Sequence, residues 1–216
     1  MAARHLPQLT PDIRGFLRRL VFDDGEPVLR FGRVRLRTPC GQDFADWVAL
    51  RSASRDFLKP WESTWPADVL EKAAFRRRLR QYAEERDRRI GYYFLIFHTG
   101  DGVLLGGINL TNVRRGIVQA GTLGYWIGAV FARQGYMTEG MAAVLSFAFE
   151  TLNLNRVEAA CLPDNVASRA LLEKCGFWEE GRARKYLRIN GMWQDHVLYA
   201  ILREDWMPKG IRVTRE

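Results

Sequence analysis

The chain has 216 residues, 47% of them hydrophobic, enough to bury a sizeable core and short enough that one domain is expected. Lys and Arg outnumber Asp and Glu by 33 to 25, a formal charge of +8 that suits phosphorylated ligands, nucleic acid or ribosome surfaces, and equally a well-solvated basic exterior. Cys40, Cys161 and Cys175 show no CxxC spacing and the three histidines are scattered, which argues against a disulfide framework and a zinc site. The charged, proline-containing start lacks a signal-peptide core, and no window offers the ~18 apolar residues of a membrane span, so a cytoplasmic protein is expected.

Residues 1–27 read as an arm in which IRGFLRRLVF has the pattern of a short amphipathic helix, and residues 207–216 as a tail; a domain is expected over 28–206. From Arg30, FGRVRLRTP alternates arginines with Val34 and Leu36, predicting one half-buried strand ended by proline. Phe44, Trp47, Val48 and Leu50 recur at helical spacing within 41–58. A second helix is expected beyond Pro66, carrying Phe75, Leu79 and Tyr82 and an outer face RRRLRQYAEERDRR that could meet ribosomal RNA or simply be solvated.

The segments GYYFLIFHT and VLLGGINLTNV, joined by a GDG turn, predict a hairpin, with QAGTLGYWIGAV as a third antiparallel neighbour. A helix follows over about 138–152, then the strand RVEAACL, then a helix from Asn165 to Lys174 with Gly176 as its left-handed stop. Asn190-Gly191 is a strong two-residue turn signal and closes a last hairpin. The order predicts an α/β fold (α+β), a mixed and mostly antiparallel sheet with helices on both faces and one strand-helix-strand crossover over about 121–161.

Within that crossover FARQGYMTEG leaves a strand and enters a helix whose first N–H groups lack intrahelical partners, a natural anion cradle. Neither GxxxxGK[ST] nor a GxGxxG with a later acidic ribose reader is present, which disfavours nucleoside triphosphate hydrolysis and dinucleotide redox chemistry. An ordinary strand-to-helix turn, with Gly135 there for conformation alone, is the plainer reading of the same stretch.

The order of elements, with SRDFLKPWE, INLTNVRRG, LGYWIG and YLRINGMWQDHVL in that order, resembles the GCN5-related N-acetyltransferase (GNAT) superfamily, and within it the ribosomal-protein-alanine N-acetyltransferase (RimJ-like) branch. Of the superfamily's Q/R-x-x-G-x-G/A fingerprint the chain keeps Gly135, with Ala132 and Met137 at the first and last positions. The resemblance implies that acetyl-CoA is the co-substrate, with no metal. It places the pyrophosphate on the backbone of Arg133, Gln134, Gly135, Tyr136, Met137 and Thr138, and the pantetheine arm or thioester near Asn165 and Ser168. Helix capping is the competing role for that last pair.

Acyl transfer to an amine needs a neutral amine, donors for the oxyanion and a proton for the thiolate. The resemblance puts the donors near Trp126 and Ile127, where the fourth strand of the family bulges and splays. At the site where many relatives carry a tyrosine acid stands Leu172, which leaves Ser168 as candidate. Glu62 is the candidate base, with Glu139 and Glu158 read as structural.

With a weak base, an α-amine (pKa ~7.8) is a less demanding acceptor than lysine (~10.4). The family's acceptor is the N-terminal alanine of a ribosomal protein. Trp61, Glu62, Asn109, Thr111 and Asn112 are the candidate groove residues. Two alternatives stand beside this reading: acetylation of a small amine such as an antibiotic or polyamine, and a non-catalytic ribosome- or RNA-binding factor. Oligomeric state is not legible.

Overall fold

The computed structural model describes residues 21–23 and 26–206. Among the described residues nine strands form one sheet: β1 (Val21–Asp23), β2 (Glu26–Phe31), β3 (Val34–Arg37), β4 (Tyr92–His98), β5 (Leu104–Arg114), β6 (Ala120–Ile127), β7 (Arg156–Cys161), β8 (Trp178–Ile189) and β9 (Met192–Leu202). Their spatial order is β1-β2-β3-β4-β5-β6-β7-β9-β8. Neighbours are antiparallel except β6 and β7, which the crossover makes parallel.

The helices are α1 (Phe44–Ala53), α2 (Arg55–Leu58), α3 (Lys72–Asp87), α4 (Tyr136–Ser146) and α5 (Val166–Lys174). Strand alternation sends Phe94 and Ile96 to one face of the sheet and Leu95 and Phe97 to the other. The first face joins Met141, Val144, Leu145 and Leu172 from α4 and α5 in the main core. The second packs on Trp47 of α1 and Phe75 of α3 in a smaller one. Helices therefore cover both faces, as the sequence predicts.

Three elements differ from expectation. The stretch around Arg30 is a hairpin and not one strand: Gly32 takes φ +53°, ends β2 at Phe31 and lets β3 start at Val34. Val21–Asp23, inside the expected arm, pairs with Glu26–Phe31, which runs past the expected boundary at residue 27; the rest of the arm, including most of IRGFLRRLVF, and the 207–216 tail lie outside the described residues. The long crossover helix changes to a π turn at Phe147–Thr151, which seats Phe147, Ala148 and Phe149 in the core. The Asn190-Gly191 turn forms as expected, both residues at positive φ (47° and 81°).

The feature that positions a site is the way β6 leaves β7. Their parallel pairing covers only Ala120↔Arg156, Gly121↔Val157 and Thr122↔Glu158. Beyond Thr122, β6 stays on β5 as far as Gly106↔Ile127, while β7 stays on β9 as far as Cys161↔Val197. A wedge opens in the sheet, bordered by residues 123–127 and by the end of β7.

Candidate active site

The wedge leads into the loop between β6 and α4. A 3-10 turn (Ala129–Phe131) follows β6, and its start is fixed when the Ala129 N–H donates to Ser54 Oγ at 2.9 Å. Arg133 (φ 62°) and Gly135 (φ 87°) both adopt left-handed conformations, and Gly135 caps α4 without a side chain. The first helical hydrogen bond runs from Glu139 N–H to Gly135 O (3.1 Å), so the N–H groups of Tyr136, Met137 and Thr138 fall in the turn that has no intrahelical acceptor. Met137 is buried in the main core, so only its backbone faces the loop, and Arg133 is exposed. The cradle is thus made of backbone groups at a helix N-terminus, where the helix dipole favours an anion.

Across the wedge, Asn165 caps α5 by accepting from Ser168 N–H at 3.1 Å. That cap aims Ser168 at β6, where its Oγ lies 2.6 Å from the Tyr125 hydroxyl. Burial pushes the Tyr125 phenol well above its ordinary range, with the Ser168 hydrogen bond a smaller, opposing effect, so the group stays protonated at neutral pH. Leu172 is fully buried in the core. Tyr125 was missed in the sequence because it occupies a core-facing position of LGYWIG, paired opposite Ile108, where an aromatic reads as packing. The available signal was its hydroxyl, which a buried tyrosine must place somewhere.

The other face of the wedge carries the expected acceptor residues. Trp126 lies over Gly107, where a Cβ would come within 2.6 Å of the indole Nε1. The buried Arg51 guanidinium sits 4.8 Å from the Trp126 ring and 4.4 Å from the Trp65 ring. Both Glu62 oxygens are taken up: Arg51 donates to them at 2.8 and 2.7 Å, and Trp65 Nε1 adds a bond of 2.7 Å. Glu62 therefore ties the KPWE segment to α1 and, through Arg51, to Trp126. Trp61 is exposed at the end of the preceding turn, and Lys59 O of the same turn accepts from Asn190 Nδ2 on the β8–β9 turn (2.9 Å).

Asn109 pairs opposite Gly124, beside the opening of the wedge. Thr111 pairs opposite Thr122 at its closed end and donates to Thr122 O at 3.4 Å. Asn112 is exposed at the irregular end of β5 (φ 48°). The irregularity in the β5–β6 pairing falls between Thr111 and Arg114, so near Trp126 and Ile127 the change is a splay from β7.

Glu139 pairs with Arg33, and Glu158 with Arg114 and Arg156. On α3, Arg77 pairs with Asp68 and Arg86 with Glu26, while Arg78 lies 4.9 Å from the Trp47 ring.

A backbone anion cradle, a splayed strand and a hydroxyl pair across the wedge coincide with a family match: the acetyltransferase (GNAT) domain model covers residues 33–178. The chain belongs to the GNAT acetyltransferase family. It is 36% identical over 164 residues to the [ribosomal protein uS5]-alanine N-acetyltransferase of Escherichia coli, covering 76% of this chain and 83% of that one.

Among solved structures, the acetyltransferase resembles Mycobacterium smegmatis RimJ in complex with CoA-disulfide (31% identity, TM-score 0.77, 83% of this chain and 88% of that one). It also resembles the ribosomal-protein-S5-alanine acetyltransferase of Vibrio fischeri (28%, TM-score 0.76, 84% and 99%).

Proposed function

We propose that this acetyltransferase moves the acetyl group of acetyl-CoA to the α-amine of an N-terminal alanine on a ribosomal protein. The observation that carries the reading is the state of the carboxylates around the wedge. Glu62, Glu139 and Glu158 are all committed to arginines, which favours an acceptor whose amine is neutral in an appreciable fraction without help. Deprotonating an α-amine at pH 7 costs ~1 kcal/mol, against ~4.6 kcal/mol for a lysine. The relatives named for alanine N-acetylation, matched over most of their length, support the same acceptor.

The geometry suits the chemistry in the following way. Residues 133–138 would hold the pyrophosphate on backbone N–H groups, and Arg133 would add charge at the rim. The pantetheine arm would enter the wedge, bringing the thioester between residues 125–127 of β6 and Ser168. Backbone N–H groups freed where β6 leaves β7, near Trp126 and Ile127, would meet the developing oxyanion. The amine nitrogen attacks the thioester carbon, the C–S bond breaks, and the ammonium proton leaves to water. The thiolate takes a proton from Ser168 Oγ, which is resupplied by the Tyr125 hydroxyl and then by solvent.

Glu62, expected as a base, fits better as the anchor of the acceptor wall, since both its oxygens are held. Trp61, Trp126 and Asn109 would border the extended peptide end.

The test is kcat/KM with acetyl-CoA and three peptides: one with a free N-terminal Ala, one with a free N-terminal Ser, and one blocked at its N-terminus with an internal Lys. Turnover of the Ala peptide above the others supports the proposal. Turnover confined to the Lys peptide defeats it.

A further inference from the structure

We propose that Arg33, on the turn between β2 and β3, is a positioning residue for cofactor binding: it fixes the 134–139 segment and neutralises Glu139 beside the pyrophosphate. The proposal rests on the reading of residues 133–138 as the pyrophosphate cradle. Arg33 lies far from that loop in sequence and near the edge of the family match, and no part of the acyl-transfer chemistry uses it.

Its contacts span the cradle. The Arg33 backbone N–H donates to Glu139 Oε2 at 2.6 Å, and Nε and Nη2 donate to Glu139 Oε1 at 2.8 and 2.6 Å. Nη2 also donates to Gln134 O at 2.9 Å, and the guanidinium lies 4.5 Å from the centre of the Tyr136 ring. One side chain therefore grips the loop just before Gly135, the first helical residue, and the first helical turn. The turn is shaped for this contact, because a Cβ on Gly32 would come within 2.6 Å of Glu139 Oε2. At Gly135 a Cβ would lie 3.3 Å from Arg33 Nη2, so the loop's glycine also faces the clasp.

Two consequences follow from elementary geometry and charge. In a trans peptide the C=O of Gln134 and the N–H of Gly135 point in opposite directions. Turning the carbonyl outward to Arg33 turns that N–H away from the clasp. Glu139 improves the start of α4 by meeting the helix dipole, yet a bare carboxylate there would repel a pyrophosphate on the same N–H groups. Arg33 cancels that charge and leaves the backbone donors to act. A surface ion pair whose arginine is exposed and whose glutamate is half-buried adds little to global stability, so its effect belongs on ligand affinity.

The test compares the full chain with Arg33→Ala, Arg33→Lys, Arg33→Ala/Glu139→Gln and Gly135→Pro. It measures Kd for CoA by calorimetry, KM for acetyl-CoA, and kcat with a saturating Ala peptide. Arg33→Ala should weaken CoA binding and raise KM for acetyl-CoA about tenfold, with kcat and the acceptor KM within about twofold. Lysine, which lacks the planar fork, should recover only part of the loss, and the double variant should bind CoA more tightly than Arg33→Ala alone.

The lysine variant serves the same comparison should the alanine variant lose its fold. Wild-type affinity in Arg33→Ala alongside weakened binding in Gly135→Pro would overturn the clasp while leaving the cradle standing. Wild-type affinity in both would remove the cradle reading, and the clasp with it.

Discussion

At the scale of single residues, the wedge turns on one polar contact that local sequence does not advertise. Ser168 was legible because a helix-opening NxxS places it on the first turn of α5; its partner Tyr125 was not, since the contact joins residues 43 apart and the position reads as core. Tyr125→Phe and Ser168→Ala should each lower kcat by about tenfold with little change in KM. That is below the ~10²–10⁴-fold usual for a general acid, because a thiolate leaves readily. The two losses should overlap in the double variant, as expected of one relay; fully multiplicative losses in steady-state kinetics would show that the hydroxyls act separately.

Glu62 illustrates the opposite case, a residue picked by position whose partners only the fold reveals. Glu62→Gln should destabilise the protein by about 2 kcal/mol in denaturant titration by leaving the buried Arg51 without its counter-charge. A fall in kcat with unchanged stability and a shifted pH profile would instead assign Glu62 the part of base.

At the scale of elements, strands β4 to β7, α5 and the last hairpin follow from periodicity and turn chemistry, and the Asn165 cap and Gly176 stop were readable as such. The β2–β3 hairpin was not, because Arg30 to Pro39 alternates smoothly and Gly32 alone signals the turn. The splay of β6 from β7 was equally hidden. It is a property of how far two strands stay paired, which no local pattern encodes.

Close packing of Trp126 on Gly107 makes an element-level prediction: Gly107→Ala should displace the indole, disturb the Arg51–Glu62 tie beneath it, and raise the acceptor KM more than that for acetyl-CoA. Separate Michaelis curves for the two substrates test this, and an exclusive effect on acetyl-CoA would contradict it. Asn165→Ala should cost about 1 kcal/mol in thermal denaturation through the lost cap.

At the scale of the whole molecule, the sheet divides labour between its two faces. Helices α4 and α5 on one side carry the glycine loop at 133–138 and the Tyr125–Ser168 pair, while α1, the KPWE segment and the β8–β9 turn on the other bring Glu62, Trp65 and Trp126 together. The wedge between β6 and β7 is where the two sides meet. Acceptor choice then appears in the pH dependence. With a neutral α-amine as nucleophile, kcat/KM for an Ala peptide should rise with pH, reach half its maximum at ~7.8 and level off above it, whereas a lysine acceptor would keep rising toward ~10.4.

Acetyl transfer to an N-terminal alanine of a ribosomal protein can be read out by fragment-ion mass spectrometry. Unacetylated small-subunit ribosomal proteins are incubated with the enzyme and acetyl-CoA, and the modified atom is located. One acetyl group on the α-nitrogen of a terminal alanine is expected. Acetyl groups on lysine side chains, with every terminal alanine left free, would contradict it.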